Sequence, residues 1–444
     1  KKCIANPKYD KTSVSSIYEF AMKLIGKSLS EAVKLPEGVE NSRNRGDLGS
    51  LVEKYYFEHT PPNNHDPDFK EAGLELKTTG VLVRTEKYRA KERLVLMMID
   101  YEVIVTETWE KSTFYNKCKL MLILFYLYTK ERAVIDRKFV MSPLLFEIPK
   151  EDEQQIKRDW EFIRQRVVDG KAHELSEGDT FYLAACRKGS GGENEALRKQ
   201  PFSDERAKAR AFSFKQSYVN KLIDGGFENQ PVLGINRTVT FEEVTKSRFK
   251  PFLGKSVEEL SLMLNYHQKS TNHKGFLKDI VNRILVDNEQ TPLELDKAGI
   301  EIKTIRLTKS GSPREAMSFP GFKYLDIVHE NWEESSFFDK LEHKFLFVIF
   351  QVDENNVERL EKISYWNMPY EDRLEAQRVW EETKHRVLVD ASDLPRSSES
   401  TVAHVRPKAR DGDDKLPTPQ GDFQVKKCFW LNKDYIAGVV RELV

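Results

Sequence analysis

Three charged residues in one short segment have the types and spacing that phosphate-ester chemistry needs. They are Asp68, Glu75 and Lys77, within Asp-Phe-Lys-Glu-Ala-Gly-Leu-Glu-Leu-Lys. The alternation of apolar and charged residues over 74–77 predicts a half-buried strand, on which Glu75 and Lys77 project from one face. Two carboxylates can hold Mg²⁺ while waters and phosphate oxygens fill its other positions. A nearby ammonium can orient the attacking water or neutralise charge developing on phosphorus. An ordinary strand with charges on its solvated face is the alternative.

The same arrangement occurs a second time, 226 positions later. Glu294, Glu301 and Lys303 repeat the spacing of carboxylate, carboxylate and lysine within Glu-Leu-Asp-Lys-Ala-Gly-Ile-Glu-Ile-Lys. A single Glu-x-Lys is usually a solvated strand edge, since Glu and Lys are mostly exposed in folded proteins. The repetition favours a functional arrangement.

The repeat extends along the whole chain, with offsets that drift as loops gain or lose residues. The recurring segments are Gly26-Lys27-Ser28 with Gly254-Lys255-Ser256, Gly49-Ser50-Leu51 with Gly275-Phe276-Leu277, Trp109-Glu110 with Trp332-Glu333, Trp160-Glu161 with Trp380-Glu381, and Phe212 and Tyr218 with Phe429 and Tyr435. Several matches in the same order predict two homologous domains. We place them at residues 1–222 and 246–444, with a linker at 223–245 that is rich in turn-forming residues.

Composition bounds the class of protein. The chain has 444 residues, a size at which two domains are expected. Its 71 basic and 71 acidic residues balance, so a surface for nucleic acid would need local segregation of charge. The four cysteines form no Cys-x-x-Cys pair, which argues against a zinc site or a disulfide framework. No apolar run reaches the ~20 residues that span a bilayer, and no signal peptide is visible, so we expect a protein of the cytoplasm without membrane association.

Within each half the periodicity is α+β. In the first half we predict helices over 15–33, around Glu53, over 152–168 and over 214–222. We predict strands over 74–78, 94–105, 120–128 and 180–185, and Gly170 is expected to end the third helix.

These motifs resemble a known family of nucleases. Gly46-x-x-Gly49-x-Leu51-x-Glu53 is followed by Asp68-Phe69 and by Gly73-Leu-Glu75-Leu-Lys77-Thr. This series resembles the mismatch-repair endonuclease MutH and, still more, the two-domain GATC-cutting restriction endonucleases of the Sau type. Further matches lie at 91–96, 109–110, 171–178 and 210–213, so the resemblance covers essentially the entire chain.

The resemblance implies a fold and an activity. The fold would be α+β (mixed α/β), as two tandem MutH-like domains of the PD-(D/E)xK restriction-endonuclease class. The activity would be Mg²⁺-dependent hydrolysis of double-stranded DNA at GATC by the N-terminal domain, with the C-terminal domain binding a second GATC site as an effector. A bacterial cytoplasmic location, a cognate methyltransferase linked functionally but not physically, and action as a monomer or DNA-induced dimer would follow.

The resemblance also assigns residues to roles. Asp68 and Glu75 are the expected metal ligands and Lys77 the catalytic lysine; Glu53 matches a fourth acidic residue but could be an ordinary helix-surface glutamate. Asp66 could compete with Asp68, although the Asp-Phe pairing favours Asp68. The expected DNA contacts, each with the alternative of a solvated charge, are Arg45, Gly46, Glu92, Lys117, Lys188, Arg406 and Lys408. Arg, Lys and carboxylate side chains suit readout at base edges.

Two other functions stay open at this stage. One is a strand-nicking repair endonuclease, a class that is typically a single domain. The other is a non-cutting DNA-binding regulator with relict sites.

For the C-terminal copy we predict DNA binding without cleavage. Glu294 is one methylene longer than Asp68, and Asp279 is one shorter than Glu53. Because Mg²⁺ demands near-ideal octahedral geometry, these opposite differences should misplace the ion.

Overall fold

A computed structural model of the chain describes residues 8–39, 47–59, 65–189, 196–225, 230–266 and 275–443. The chain forms two compact units. The first comprises Lys1–Ala172, Tyr182–Arg187 and Lys199–Phe227, and the second comprises His173–Phe181, Lys188–Arg198 and Glu228–Val444. Across the described ranges, no helix is long and apolar enough to cross a membrane.

The first unit mixes short helices with one long helix and several strands. Its helices are α1 Val14–Met22, α2 Leu29–Ala32, α3 Asp47–Leu51, α4 Tyr101–Ile104, α5 Thr113–Cys118, α6 Lys150–Val168 and α7 Gln216–Ile223. Its strands are β1 Glu75–Arg84, β2 Lys87–Ala90, β3 Leu94–Met98, β4 Leu120–Leu127, β5 Leu144–Glu147, β6 Leu183–Arg187, β7 Arg198–Gln200, β8 Ser203–Ala207 and β9 Arg210–Phe214.

The central sheet of this unit has the order β2-β1-β4-β5, and β1 runs parallel to β4. Residues 121–125 of β4 are almost completely buried, as expected for a strand covered on both faces. The apolar stripe of α6, with Ile156, Trp160, Ile163 and Val167, is buried as its spacing predicts.

Gly170 follows α6 with a φ of +70°, and a Cβ at this position would approach the Phe202 carbonyl oxygen to 2.6 Å. Glycine is therefore required there.

The second unit repeats this architecture. Its helices are α8 Phe241–Phe249, α9 Val257–Met263, α10 Phe276–Val286, α11 Leu293–Ala298, α12 Tyr324–Ile327, α13 Ser336–Leu341, α14 Tyr370–Val389 and α15 Lys433–Glu442. Its strands are β10 Glu301–Leu307, β11 Met317–Gly321, β12 Phe345–Val352, β13 Glu358–Trp366, β14 Ala403–Pro407, β15 Lys415–Pro417, β16 Phe423–Val425 and β17 Lys427–Leu431.

The sheet topologies confirm the duplication predicted from the sequence. The parallel pair β1–β4 corresponds to the parallel pair β10–β12, and the antiparallel order β3-β9-β6 corresponds to β11-β17-β14. Local details repeat as well. Ser112 and Ser335 each cap the following helix and each donate to a tryptophan carbonyl at 2.7 Å. Each unit also buries its own apolar core.

Two element predictions differ from the structure. The helix predicted over 15–33 is two helices, because the chain turns at Gly26 with a φ of +79° before Ser28 caps α2. The strand predicted over 94–105 ends at Met98. Asp100 then accepts hydrogen bonds from the amides of Glu102 and Val103 and starts α4. An aspartate in this position is an N-cap signal, which the apolar run concealed.

Candidate active site

A tight turn in the backbone places Asp68 beside Glu75. Phe69 and Leu74 form an antiparallel bridge, with amide-to-carbonyl distances of 2.9 and 3.2 Å, and Gly73 between them adopts a φ of +64°. Asp68 and Glu75 flank this bridge and therefore face each other. The Asp68 amide donates to Glu75 Oε2 at 3.1 Å, and Asp68 Oδ2 accepts from the Leu76 amide at 2.8 Å.

Two lysines converge on the Glu75 carboxylate. Lys77 Nζ donates to Glu75 Oε1 at 2.5 Å, so the two side chains share one face of β1 as the alternation predicted. Lys117 Nζ lies 3.3 Å from Glu75 Oε2 and donates to the Asp66 carbonyl at 3.0 Å. Glu75 is 1 % exposed and Asp68 is 5 % exposed. Buried charges of this kind need such partners, because desolvation is costly.

Lys117 lies in the last turn of α5 and not at the start of a strand, as the apolar run after it suggested. Its side chain is buried against Glu75, so it is not a solvated strand end. Asp66 turns elsewhere: its carboxylate forms an ion pair with Lys70 at 2.9 Å. This contact leaves Asp68 as the carboxylate next to Glu75.

Glu53 lies near this cluster on an irregular helix. The α3 helix continues as a π-helical turn over Val52–Tyr56, a form that is often found at functional sites. Burial, together with the negative charge of Asp68, raises the pKa of Glu53 to about 7. The charges of Lys77, Glu75 and Lys117 also act on this carboxyl, which locates Glu53 within electrostatic reach of the cluster.

Burial and the neighbouring charges also shift the pKa values of Glu75, Lys77 and Cys118. Burial raises the pKa of Glu75 despite the opposing effect of the two lysines. Burial alone would lower the pKa of Lys77, but the Glu75 carboxylate and its neighbours outweigh it and the pKa is raised. Burial raises the pKa of Cys118, which lies near Lys77, to about 12, so this thiol is protonated at neutral pH.

The donor set of this cluster fits a hard divalent cation. Asp68 and Glu75 supply carboxylate oxygens. Burial is the main cause of the raised pKa values of Glu53 and Glu75, and a bound cation would stabilise the charged forms that burial disfavours. In the part of the chain that the structure describes, no three His, Cys, Asp or Glu side chains form a preformed metal cage. A site with two protein carboxylates and further ligands from substrate and water is typical of Mg²⁺.

The predicted base-reading residues are more dispersed. Arg45 and Gly46 lie outside the described residues. Glu92 is exposed, 3.7 Å from Lys91, and Lys188 is half-buried directly after β6. In the second unit the Arg406 guanidinium lies 3.8 Å from the centre of the Trp430 ring. Lys408 Nζ donates to the Phe319 carbonyl at 2.9 Å.

The corresponding position of the second unit holds a different set of groups. Glu301 begins β10 and lies 3.2 Å from Lys303 Nζ through Oε2. Its other oxygen accepts from Lys340 and lies 3.3 Å from His343 Nδ1. The His343 hydrogen bond, followed by the Lys340 and Lys303 charges, holds the pKa of Glu301 well below its usual range. Lys340 is the counterpart of Lys117 in the repeat, since each lies five residues after the serine that caps its helix.

His343 was not predicted from the sequence. Its counterpart three residues after Lys117 is the apolar Leu120, so the repeat gave no reason to select it. Only the parallel pairing of β10 with β12 brings it to Glu301.

Glu294 does not join this set, for a reason other than side-chain length. It lies at the start of α11, and its carboxylate accepts hydrogen bonds from the amides of Leu233 and Gly234 at 2.7 and 2.9 Å. Asp279 likewise accepts from the Tyr266 hydroxyl at 3.0 Å. Two of the three acidic counterparts therefore have other partners.

The amino-acid sequence of each half of the chain is similar to that of known proteins. The family model for the DNA mismatch repair enzyme MutH matches residues 57–159 and 286–377, one stretch in each half of the chain. MutH of Serratia proteamaculans is 25% identical over 213 residues, which is 47% of this chain and 90% of that protein. MutH of Photorhabdus laumondii is 28% identical over 187 residues, or 41% of this chain and 79% of that protein.

A longer similarity covers both units. The type II restriction enzyme Sau3AI of Staphylococcus aureus is 31% identical over an alignment of 494 positions, which covers 97% of this chain and 98% of that enzyme. The chain belongs to the family of MutH-related type II restriction endonucleases. It is a site-specific deoxyribonuclease built from two tandem MutH-like domains.

Proposed function

We propose that this endonuclease hydrolyses double-stranded DNA at GATC, that it requires Mg²⁺, and that only the first unit cuts. The second unit would bind another GATC site and stimulate cleavage. The observation that carries this proposal is the difference between the two repeats. Asp68 and Glu75 face each other beside two lysines, whereas Glu301 has only basic partners among the described residues.

Asp68 and Glu75 would hold the Mg²⁺ ion. When bound, Mg²⁺ supplies Lewis acidity and neutralises charge on the phosphate. Both carboxylates are buried and are fixed by backbone hydrogen bonds, so little reorganisation is needed at the moment of reaction.

The lysines and Glu53 would have distinct tasks. Lys77, now paired with Glu75, would turn to the attacking water or to a phosphate oxygen when DNA enters. Lys117 would stay against Glu75 and hold it in place, since its ammonium also donates to the Asp66 carbonyl. Glu53, with its pKa raised to about 7, could accept a proton near neutral pH.

Readout of GATC would use side chains outside this cluster. In the N-terminal half of the chain we assign it to Arg45, Gly46, Glu92 and Lys188, by the pattern of the family. Guanidinium and ammonium groups suit guanine, and carboxylates accept from cytosine.

In the second unit we assign readout to Arg406 and Lys408. The Arg406 guanidinium lies over the Trp430 ring, and Arg406 is exposed. Its guanidinium could therefore reach a base edge. Stimulation then requires that the second DNA site binds the active conformation more tightly than the inactive one. Action as a monomer or as a DNA-induced dimer, and a functional link to a cognate methyltransferase, belong to the same proposal.

Digestion of plasmids with one or two GATC sites, followed by sequencing of the product ends, tests this function. Wild-type protein in Mg²⁺ should give ends at GATC, whereas Glu75→Gln should give none. Glu71→Gln is the matched control, because Glu71 is exposed and lies only four residues from Glu75. Continued cleavage by Glu75→Gln would overturn the assignment of the site.

Other products would point to the alternative functions. Ends at another sequence would refute GATC specificity. Nicked circles without linear DNA would favour a strand-nicking repair enzyme, and binding without cleavage in both Mg²⁺ and Mn²⁺ would favour a non-cutting regulator.

A further inference from the structure

The Glu301 cluster of the second unit carries more positive than negative charge. Lys303 and Lys340 both contact one carboxylate, and His343 lies on the same carboxylate oxygen as Lys340. The ion pair elsewhere on this unit between Lys309 and Glu354, at 2.9 Å, matches one charge with one. In the cluster at least one ammonium charge has no carboxylate of its own within these contacts.

The cluster is also accessible from solvent. The side chains of Glu301 and Lys340 are 29% and 32% exposed, and those of His343 and Lys303 are 34% and 37% exposed. At the equivalent strand positions of the first unit, the side chains of Glu75 and Lys77 are 2% and 17% exposed. The second unit therefore presents these cations to an incoming anion, whereas the first encloses its acids.

A metal ion fits this cluster poorly. Hard divalent cations take oxygen ligands, and Mg²⁺ usually binds through one or two carboxylates, of which these contacts offer Glu301 alone. Glu294 is bound to the Leu233 and Gly234 amides, and Asp279 accepts from Tyr266, so both carboxylates are engaged with groups outside the Glu301 cluster. The ammonium groups of Lys303 and Lys340, with a single carboxylate between them, would repel a cation.

We propose that this cluster is a metal-independent binding site for one phosphate of the DNA backbone. Lys303 and Lys340 would contact the phosphate oxygens, and His343 would donate a further hydrogen bond. Glu301 occupies the centre of the cluster in the free protein, where it keeps the cations ordered and competes with the phosphate. The site occupies the position that corresponds to the Asp68–Glu75 cluster of the first unit, but it would hold the substrate backbone instead of a metal. This inference rests on the proposed DNA binding by the second unit.

Glu301→Gln separates this site from a metal site, because the two make opposite predictions. If Glu301 competes with phosphate, removing its charge strengthens binding of a GATC duplex in EDTA. If Glu301 is a metal ligand, the same change weakens binding only when a divalent ion is present. The measurement is fluorescence anisotropy of a labelled duplex with full-length protein that also carries Glu75→Gln, which prevents cleavage.

Lysine variants on the same background give a second readout. Lys340→Ala and Lys303→Ala should each weaken binding of a labelled GATC duplex by the second unit in EDTA. Each should also reduce the slope of log K against log salt by about one. Lys309→Ala, from the balanced ion pair, is the matched control and should leave both quantities unchanged.

The outcomes distinguish this inference from the proposed function. If wild-type protein cuts at GATC while the lysine variants bind like the control, the phosphate site is refuted and the proposed function stands. Weaker divalent-dependent binding by Glu301→Gln would also refute it and indicate a metal site. If no GATC cleavage occurs, the proposed function fails on its own evidence.

Discussion

Asp68 and Glu75 are joined through the backbone as well as by shared burial. The Asp68 amide donates to the Glu75 carboxylate at 3.1 Å, and the Asp68 carboxylate accepts from the amide that follows Glu75 at 2.8 Å. Each acid therefore fixes the other before any ligand arrives. Pre-organisation of this kind lowers the cost of ordering a catalytic site during reaction.

Lys117→Met should destabilise the first unit, because it removes one of two cations from a buried carboxylate. We expect the free energy of unfolding to fall by about 3 kcal/mol near pH 8. Without Lys117 the pKa of Glu75 rises further, and a raised carboxyl pKa costs stability only above its ordinary value. The loss should therefore be smaller at pH 5. Urea unfolding at both pH values measures it, with the exposed Lys111→Met as control.

Glu53→Gln should stabilise the metal-free protein at alkaline pH. The folded state keeps a proton on Glu53 up to about pH 7, whereas the unfolded chain loses it near 4.5. Stability therefore falls as pH rises through this window, and a neutral glutamine avoids the fall. In EDTA the free energy of unfolding of the variant should exceed that of wild type at pH 8 and equal it below pH 4.5. Equal stability at pH 8 would contradict the raised pKa.

Mg²⁺ without DNA should stabilise the first unit through its buried acids. A ligand that binds only the folded state adds about 2.7 kcal/mol at 100 times its Kd. Thermal unfolding should shift upward with Mg²⁺ in wild-type protein and in Glu301→Gln. Asp68→Asn should lose the shift. A shift that depends on Glu301 would place the metal in the second unit instead.

Glu294→Ala should lower the stability of the second unit without altering the stabilisation of the protein by Mg²⁺. The change leaves the amides of Leu233 and Gly234 without their acceptor, and Leu233 is buried. We expect the free energy of unfolding to fall by about 1–3 kcal/mol. Glu361→Gln changes an exposed glutamate of the same unit and should be neutral. If Glu294→Ala instead abolishes Mg²⁺-dependent stabilisation, Glu294 is a metal ligand.

Cleavage of a two-site plasmid separates the roles of the two units. Glu75→Ala should abolish cleavage, and Glu301→Ala should leave most of it. The reason is that Glu301 has basic partners and no neighbouring carboxylate in the described structure. Gel electrophoresis of the products over time gives the measurement. If Glu301→Ala removes half of the cuts, or leaves only nicks, both units are catalytic.

The sequence was sufficient where the deciding physics is local. The period of two in a strand puts Glu75 and Lys77 on one face, and the structure confirms this with a 2.5 Å contact. The duplication was also legible, because equivalent elements keep their order and both central sheets have the same parallel pair. Local signals failed where one hid another, as at Asp100, whose capping role lay within an apolar run.

Tertiary structure alone decided which groups face each acid. Lys117 reaches Glu75 because α5 precedes a strand that pairs in parallel with β1, a relationship between residues far apart in the chain. Glu294 has the sequence position of a metal ligand, yet the path of the chain at Leu233 offers it two backbone amides. A carboxylate takes the donors that the fold brings within hydrogen-bond distance, and residue spacing does not contain that information.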